Sequence, residues 1–418
     1  MTHDEHGTGR TGAVTVSDLA PVQTEPAENA APRKVKRPYL YQADLFRVVT
    51  FACVIADHVI SGCSAPDTVP AKGLEMLLHF TRLAFFALTG FVLVYQYARR
   101  PFTATSFWRR RFALVGIPYV VWSVFYWAYA LYLGIWHLSI GQALWQLVVE
   151  LATGNAWYQM YFLLVTMQVY LLFPLIMKLL NATEGYHKWV LAVCAVLQVV
   201  FMWLFVHPPV LTGFLADVWG RIYVVVIAYP LFVMLGAVAA WHLDAVSQAV
   251  RRFGPWIVTA TVVATLLTEL DYLRGTHNGI PPMQASNIFL PHMIVFFVLV
   301  IAGQYTVSCW WASRRRPDSF ASRAVSYGSD RSFAVFLLHP LALQILAPYI
   351  LPWEAGIGML WTTAIVYLLV LAMSLAGAEI TRRVPGSMWL NGRPMIRTDY
   401  AGLVRRAFGK PAASESRG

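Results

Sequence analysis

YLYQADLFRVVTFACVIADHVISGC, residues Tyr39–Cys63, is long enough to cross a bilayer yet carries Asp44, Arg47, Asp57 and His58. A helix of about 20 apolar residues rising about 1.5 Å each spans the hydrocarbon layer, where an ionisable side chain needs a partner or a polar cavity. His58 follows Arg47 by eleven positions. Eleven steps of about 100° return a helix to within about 20° of its starting direction, so both side chains share one face. Asp44 stands one turn before Arg47 and is placed to pair with it, whereas Asp57 projects a quarter turn away from His58. One stripe of this helix is therefore polar and is expected to line a chamber open to both leaflets. The bland alternative for Asp44 and Arg47 is snorkelling to the headgroups.

Composition agrees with a membrane setting. Of 418 residues, 58% are hydrophobic and 13% charged, which describes an all-α polytopic membrane protein and excludes an ordinary water-soluble core. The net charge of +11 does not indicate nucleic acid, because the basic residues sit in short loops and tails between apolar runs. Cys53, Cys63, Cys194 and Cys309 are too few and too scattered for a disulfide framework or a zinc site, and no metal is expected. No cleavable signal precedes Tyr39, so the first span is expected to remain as an anchor.

Residues 1–38 read as a disordered tail that ends in Arg33, Lys34, Lys36 and Arg37. Ten candidate spans follow, near 41–61, 75–97, 112–135, 157–180, 188–207, 221–241, 255–272, 287–311, 332–351 and 357–381. Basic residues collect in alternate loops, at Arg99, Arg100 and Arg109–Arg111, then Lys178 and Lys188, then Arg251 and Arg252, then Arg314–Arg316 with Arg323. This bias places both termini in the cytoplasm, including a basic tail over 382–418 with Arg382, Arg383, Arg393, Arg397, Arg405 and Arg406. The membrane domain is 39–381, in the plasma membrane.

Further polar groups fall inside these spans. His79 and Arg82 share a face near the outer end of the second, at the depth expected of His58. A neutral imidazole in such a pocket can serve as a general base. Arg109, Arg110 and Arg111 lie at the inner mouth, where guanidinium forks bind phosphate or simply orient the chain. Trp157 and Tyr158 open the fourth span either as belt anchors or as a stacking surface for a sugar. His339 sits mid-membrane before Pro340, whose missing N–H loosens the local ladder. Glu150, Glu269, Asp271, Asn287 and His292 suggest no role. The Gly-rich phosphate loop, the Gly-x-Ser-x-Gly elbow and His-Glu-x-x-His are all missing, which argues against an ATP-driven pump or a metalloprotease.

The chain resembles acyltransferase family 3, integral-membrane O-acyltransferases, over about residues 39–381. The resemblance rests on Asp44 with the Arg47–His58 spacing, FFALTGF (Phe85–Phe91), RRRFALVGIPYVVW (Arg109–Trp122), WYQMYFLLVTMQVYLLFP (Trp157–Pro174) and FLLHPL (Phe336–Leu341). It implies transfer of an acyl group, commonly acetyl, from cytoplasmic acyl-CoA to a hydroxyl of a glycan or small-molecule acceptor, with Arg47 and His58 as the essential pair. Acyl-CoA would be a co-substrate, and no bound cofactor is implied. Arg109, Arg110 and Arg111 would hold the acyl-CoA; Asp44, Asp57, His79, Arg82, Trp157, Tyr158 and His339 would line the pocket. One departure is Leu114, where family members often carry a second arginine. The layout also resembles the polysaccharide-export branch, which leaves a non-enzymatic carrier of a glycan intermediate as the alternative.

Overall fold

The computed structural model describes residues 38–98 and 100–396. Arg33, Lys34, Lys36, Arg37, Arg99, Arg397, Arg405 and Arg406 lie outside the described residues. Nine stretches among the described residues are long and apolar enough to cross a bilayer. They are α1 (Tyr41–Gly62), the joined pair α2 (Val69–Leu78) and α3 (Phe80–Tyr97), α4 (Ala104–Tyr132), α6 (Met160–Ala182), α7 (His187–Val206), α10 (Leu243–His277), α12 (Met293–Arg314), α13 (Phe320–Ile357) and α14 (Met359–Arg383). Shorter helices are α5 (Ile140–Thr153), α8 (Phe214–Gly220), α9 (Pro230–Trp241), α11 (Pro282–Ala285) and α15 (Ser387–Asn391). The chain is a multi-pass membrane protein. The α2–α3 span is mostly buried at the centre, whereas α7, α10 and α14 are largely exposed at the periphery.

The sixth expected span departs from a continuous helix. Ile222–Val224 and Val226–Ala228 form 3-10 turns, and Pro230 then opens α9, which has 12 residues. That length rises only about 18 Å. Proline lacks the N–H a continuing helix needs and is favoured in a first turn, so the helix restarts there. The interrupted backbone is satisfied by side-chain amides from neighbouring spans. Gln168 donates from Nε2 to the Val224 carbonyl (2.7 Å) and accepts at Oε1 from the Val226 N–H (2.9 Å), and Gln198 donates to the Ala228 carbonyl (2.9 Å). In hydrocarbon each of these groups, left unpaired, costs several kcal/mol.

α9 lies against α3 at backbone contact distance. A Cβ on Gly236 would run into the Ala87 carbonyl, and one on Gly90 into the Val233 carbonyl. Small residues permit this approach, and dispersion between the two backbones replaces the hydrophobic drive that lipid cannot supply.

α1 and α13 run parallel. Arg47 meets Ser329 near one end, His58 meets His339 further along, and Gly62 meets Leu343 beyond that. α14 returns antiparallel, with Gly377 against Leu338 and Glu379 against Arg331. After α14 the chain does not leave as a tail at once. α15 packs against α4, where Trp122 Nε1 donates to the Leu390 carbonyl (2.7 Å) and Gly392, at φ +64°, touches the Leu114 carbonyl. Asp330 and Glu379 gather Arg331, Arg382, Arg383 and Arg393 into one ion-pair network at this end.

Replacing Gly236 by valine should lower stability by roughly 1–3 kcal/mol or more, as overpacking does. Gly141→Ala, at a helical site with open space around it, should leave the melting temperature of the solubilised protein unchanged or slightly higher. Equal melting curves for native protein and Gly236→Val would contradict the α3–α9 contact.

Candidate active site

His58 projects from the distal half of α1 into a group of rings. Its imidazole lies 4.6 Å from the Tyr158 ring, and it stacks on His339 at 5.3 Å with 18° between planes. Tyr158 comes from the turn before α6, and Trp157 beside it stacks on Tyr126 of α4 (5.2 Å). Trp157 is half-buried against Tyr126, while Tyr158 touches His58 on one side and stays 45% exposed.

His58 and Tyr158 border a cavity of about 120 Å3 that is also lined by Asp57, His79, Thr81, Arg82, Gln159 and Tyr161. His79 occupies the break between α2 and α3, where its Nδ1 donates to the Glu75 carbonyl (2.5 Å) and lies 3.5 Å from Asp57 Oδ1. Arg82 donates to the Tyr161 hydroxyl (3.2 Å), and its guanidinium stands over the Tyr229 and Phe289 rings. Behind this wall Lys72 pairs with Glu75 (2.7 Å).

Among the described residues, several buried polar atoms at or near the cavity have no hydrogen-bond partner: Asp57 Oδ1, Arg82 Nε and both amide atoms of Gln159 on its lining, and Trp157 Nε1 and His339 Nε2 behind it. Buried polar groups are normally satisfied, so a ring of unsatisfied donors and acceptors marks a place for polar solute or water. In the sequence Gln159 reads with Asn155, Trp157 and Tyr158 as part of an interfacial run at the outer end of the fourth span, and nothing local singles out its amide. A larger cavity, about 220 Å3 among α1, α3, α9, α10 and α12, is lined by apolar side chains and Tyr305 and carries no comparable chemistry.

Arg47 belongs to a second polar centre. Its Nη1 donates to Ser329 Oγ (2.9 Å) and lies 3.7 Å from Asp44 Oδ1, while Ser329 Oγ donates to the same Asp44 oxygen (2.7 Å). One turn on, Gln304 Nε2 donates to Thr50 Oγ1 (2.8 Å) and to the Phe46 carbonyl (2.9 Å). Asp330 follows Ser329 directly and brings the arginine network alongside, so among the described residues the ion pairs here join five arginines (47, 331, 382, 383 and 393) to three carboxylates (44, 330 and 379). Arg331, Arg382 and Arg393 gave no sequence signal beyond loop charge.

The two centres do not share one open chamber. Phe51, Phe85, Phe162 and Phe336 form a closed circuit of ring contacts between them, at 4.6, 5.5, 5.5 and 6.0 Å around the loop. Phe51 stands on the same stripe of α1 as Arg47 and His58, so the stripe reads guanidinium, phenyl, imidazole.

The three clustered arginines of α4 separate. Arg111 turns inward, donating to Gln96 Oε1 (2.5 Å) beneath the Tyr97, Phe107 and Tyr170 rings. Arg109 and Arg110 are exposed and border a surface depression with Thr103, Thr105 and Ser106.

Comparison with protein families matches residues 40–382 to an acyltransferase domain, that of acyltransferase family 3. No curated protein and no solved structure matches the chain. With the match spanning nearly the whole bundle, the chain belongs to acyltransferase family 3 and is a multi-pass membrane acyltransferase.

Proposed function

We propose that the protein transfers an acyl group, acetyl in the simplest case, from acyl-CoA to a hydroxyl of a glycan or small-molecule acceptor, with His58 as the reacting imidazole. The observation that carries this reading is the placement of His58, stacked on His339 and in contact with Tyr158 at the edge of a cavity where Asp57 Oδ1, Arg82 Nε and the Gln159 amide have no hydrogen-bond partner among the described residues.

The donor enters from the arginine-rich end, which the positive-inside bias assigns to the cytoplasm of a cell whose plasma membrane holds the bundle. Its phosphates meet Arg47 and the neighbouring network, with Arg109, Arg110 and Arg111 at the rim, since guanidinium forks bind phosphate bidentately. The pantetheine arm has about as many chain atoms as four extended residues and so reaches roughly 15 Å. Eleven residues of helix rise about 16 Å from Arg47 to His58. A phosphate at Arg47 therefore brings the thioester to His58, provided the phenyl circuit parts to admit the arm.

The acceptor occupies the cavity beside Asp57, His79, Arg82, Gln159 and Tyr158. His58 takes the hydroxyl proton as the oxygen attacks the thioester carbonyl, or accepts the acyl group and passes it on. In either case the thiolate leaves as CoA. Asp44 orients Arg47 through the shared Ser329. Acyl-CoA is a co-substrate and the bilayer the standing partner.

His58→Ala should lower transfer from labelled acetyl-CoA by at least about 100-fold, the usual scale of an acid–base residue, at unchanged protein abundance in the membrane. Full activity would remove His58 from the reaction.

Arg47→Ala should act chiefly on donor KM, by about 10- to 100-fold, as expected for a lost charge-assisted contact of roughly 1.5–3 kcal/mol. An unchanged KM with reduced kcat would place Arg47 at the reacting atoms instead. Mass spectrometry of acceptors from a deletion strain should show loss of one acyl mass; an acceptor unchanged in mass but retained on one side would favour the carrier reading.

A further inference from the structure

The residue stacked on His58 is held in a single tautomer by its own sequence neighbour. His339 is 1% exposed, and its Nδ1 lies 2.8 Å from the Phe336 carbonyl. A carbonyl only accepts, so the proton sits on Nδ1 and the lone pair on Nε2. The Phe336 carbonyl is available for a specific reason. In a regular helix it would accept from the N–H four residues later, at position 340, but that residue is proline and has no N–H. The imidazole supplies the missing donor. Its Nε2 is then left buried with no hydrogen-bond partner among the described residues, and a second proton there would create a cation without a hydrogen-bonded counter-charge among them.

We propose that His339 and Pro340 act together as a tautomer lock, making His339 a positioning residue for His58 that is kept neutral with Nε2 bare. The inference rests on the reading of His58 as the reacting imidazole. His58 stacks on this neutral ring and meets the Tyr158 ring at a tilt, the three rings touching one another in a triangle, and an uncharged His339 sets no repulsion against the positive charge His58 acquires when it takes a proton. A His339 free to flip or to charge would oppose that step. The charged and titratable groups around the stack, Asp57, His79, Arg82 and Tyr158, all approach from the cavity side, and none is hydrogen-bonded to His339. The lock is thus local to the Phe336–Pro340 turn.

Nitrogen-15 NMR of histidine-labelled protein in nanodiscs tests the lock without any substrate. The His339 signal, assigned by its loss in His339→Phe, should report a neutral Nδ1–H ring at neutral pH. Pro340→Ala restores a backbone donor to the Phe336 carbonyl and should shift the signal toward the Nε2–H form. An Nε2–H or doubly protonated His339 in the native protein would overturn the proposal.

Kinetically, with acetyl-CoA as donor and thiol release as readout, Pro340→Ala should lower kcat between about 10- and 100-fold, the scale of a misplaced reacting group, with donor KM unchanged. The same change in a His339→Phe background should add nothing. An equal loss in both backgrounds would mean that Pro340 acts only on helix shape. Should Pro340→Ala fail to insert, His339→Asn carries the test, since its amide can still donate to the carbonyl but lacks Nε2. Native melting with kcat reduced tenfold or more supports the lock, and native kcat refutes it. Activity retained in His58→Ala would fail the reading of His58 while leaving the NMR result to stand or fall by itself.

Discussion

Inside hydrocarbon there is no water to pair a guanidinium or an imidazole, so every such group must find its partner on another helix or border a cavity. α1 commits four ionisable side chains to that environment, and α13 answers two of them, Arg47 and His58. Ser329 meets Arg47, and His339, ten positions further along a helix running the same way, meets His58. Because both helices rise equally per residue, ten residues on one come within one residue's rise of the eleven on the other. Two parallel rods with matched polar stations fix each other's register, and the rest of the bundle is arranged to keep that pair in place.

The same constraint accounts for the places where the backbone departs from regular helix. The break before Pro230 exposes carbonyls and an N–H, and Gln168 and Gln198 reach in from α6 and α7 to satisfy them. The carbonyl freed by Pro340 is satisfied by an imidazole. At the first site the 3-10 turns create the polar deficit and at the second a proline does, and in each a neighbouring side chain makes it good. Tight packing does complementary work between α3 and α9, where glycines let two backbones touch and so fix the wall that presents Arg82.

Much of this could be read from the chain, and the limits were physical. The stripe on α1 was legible because helical periodicity is a property of consecutive residues. The span count was nearly so, since hydropathy sums over a window, but such a sum is blind to the two 3-10 turns that break 221–241. Ser329, Asp330 and Arg331 gave no hint because their importance lies in contact with Asp44, Arg47 and Glu379, far away in sequence. Trp157, Tyr158 and Gln159 were ambiguous for another reason: a ring facing lipid and a ring facing a cavity have the same local sequence. α15 was read as part of a tail, yet it packs on α4.

The phenyl circuit of Phe51, Phe85, Phe162 and Phe336 has a consequence for the cell. An enzyme whose donor and acceptor sit on opposite faces of a membrane risks leaving a wet path between them, and a wet path conducts protons and ions. Four phenyl rings in a closed circuit of contacts between the Arg47 and His58 centres set apolar surface where such a path would run, which disfavours a continuous file of water there.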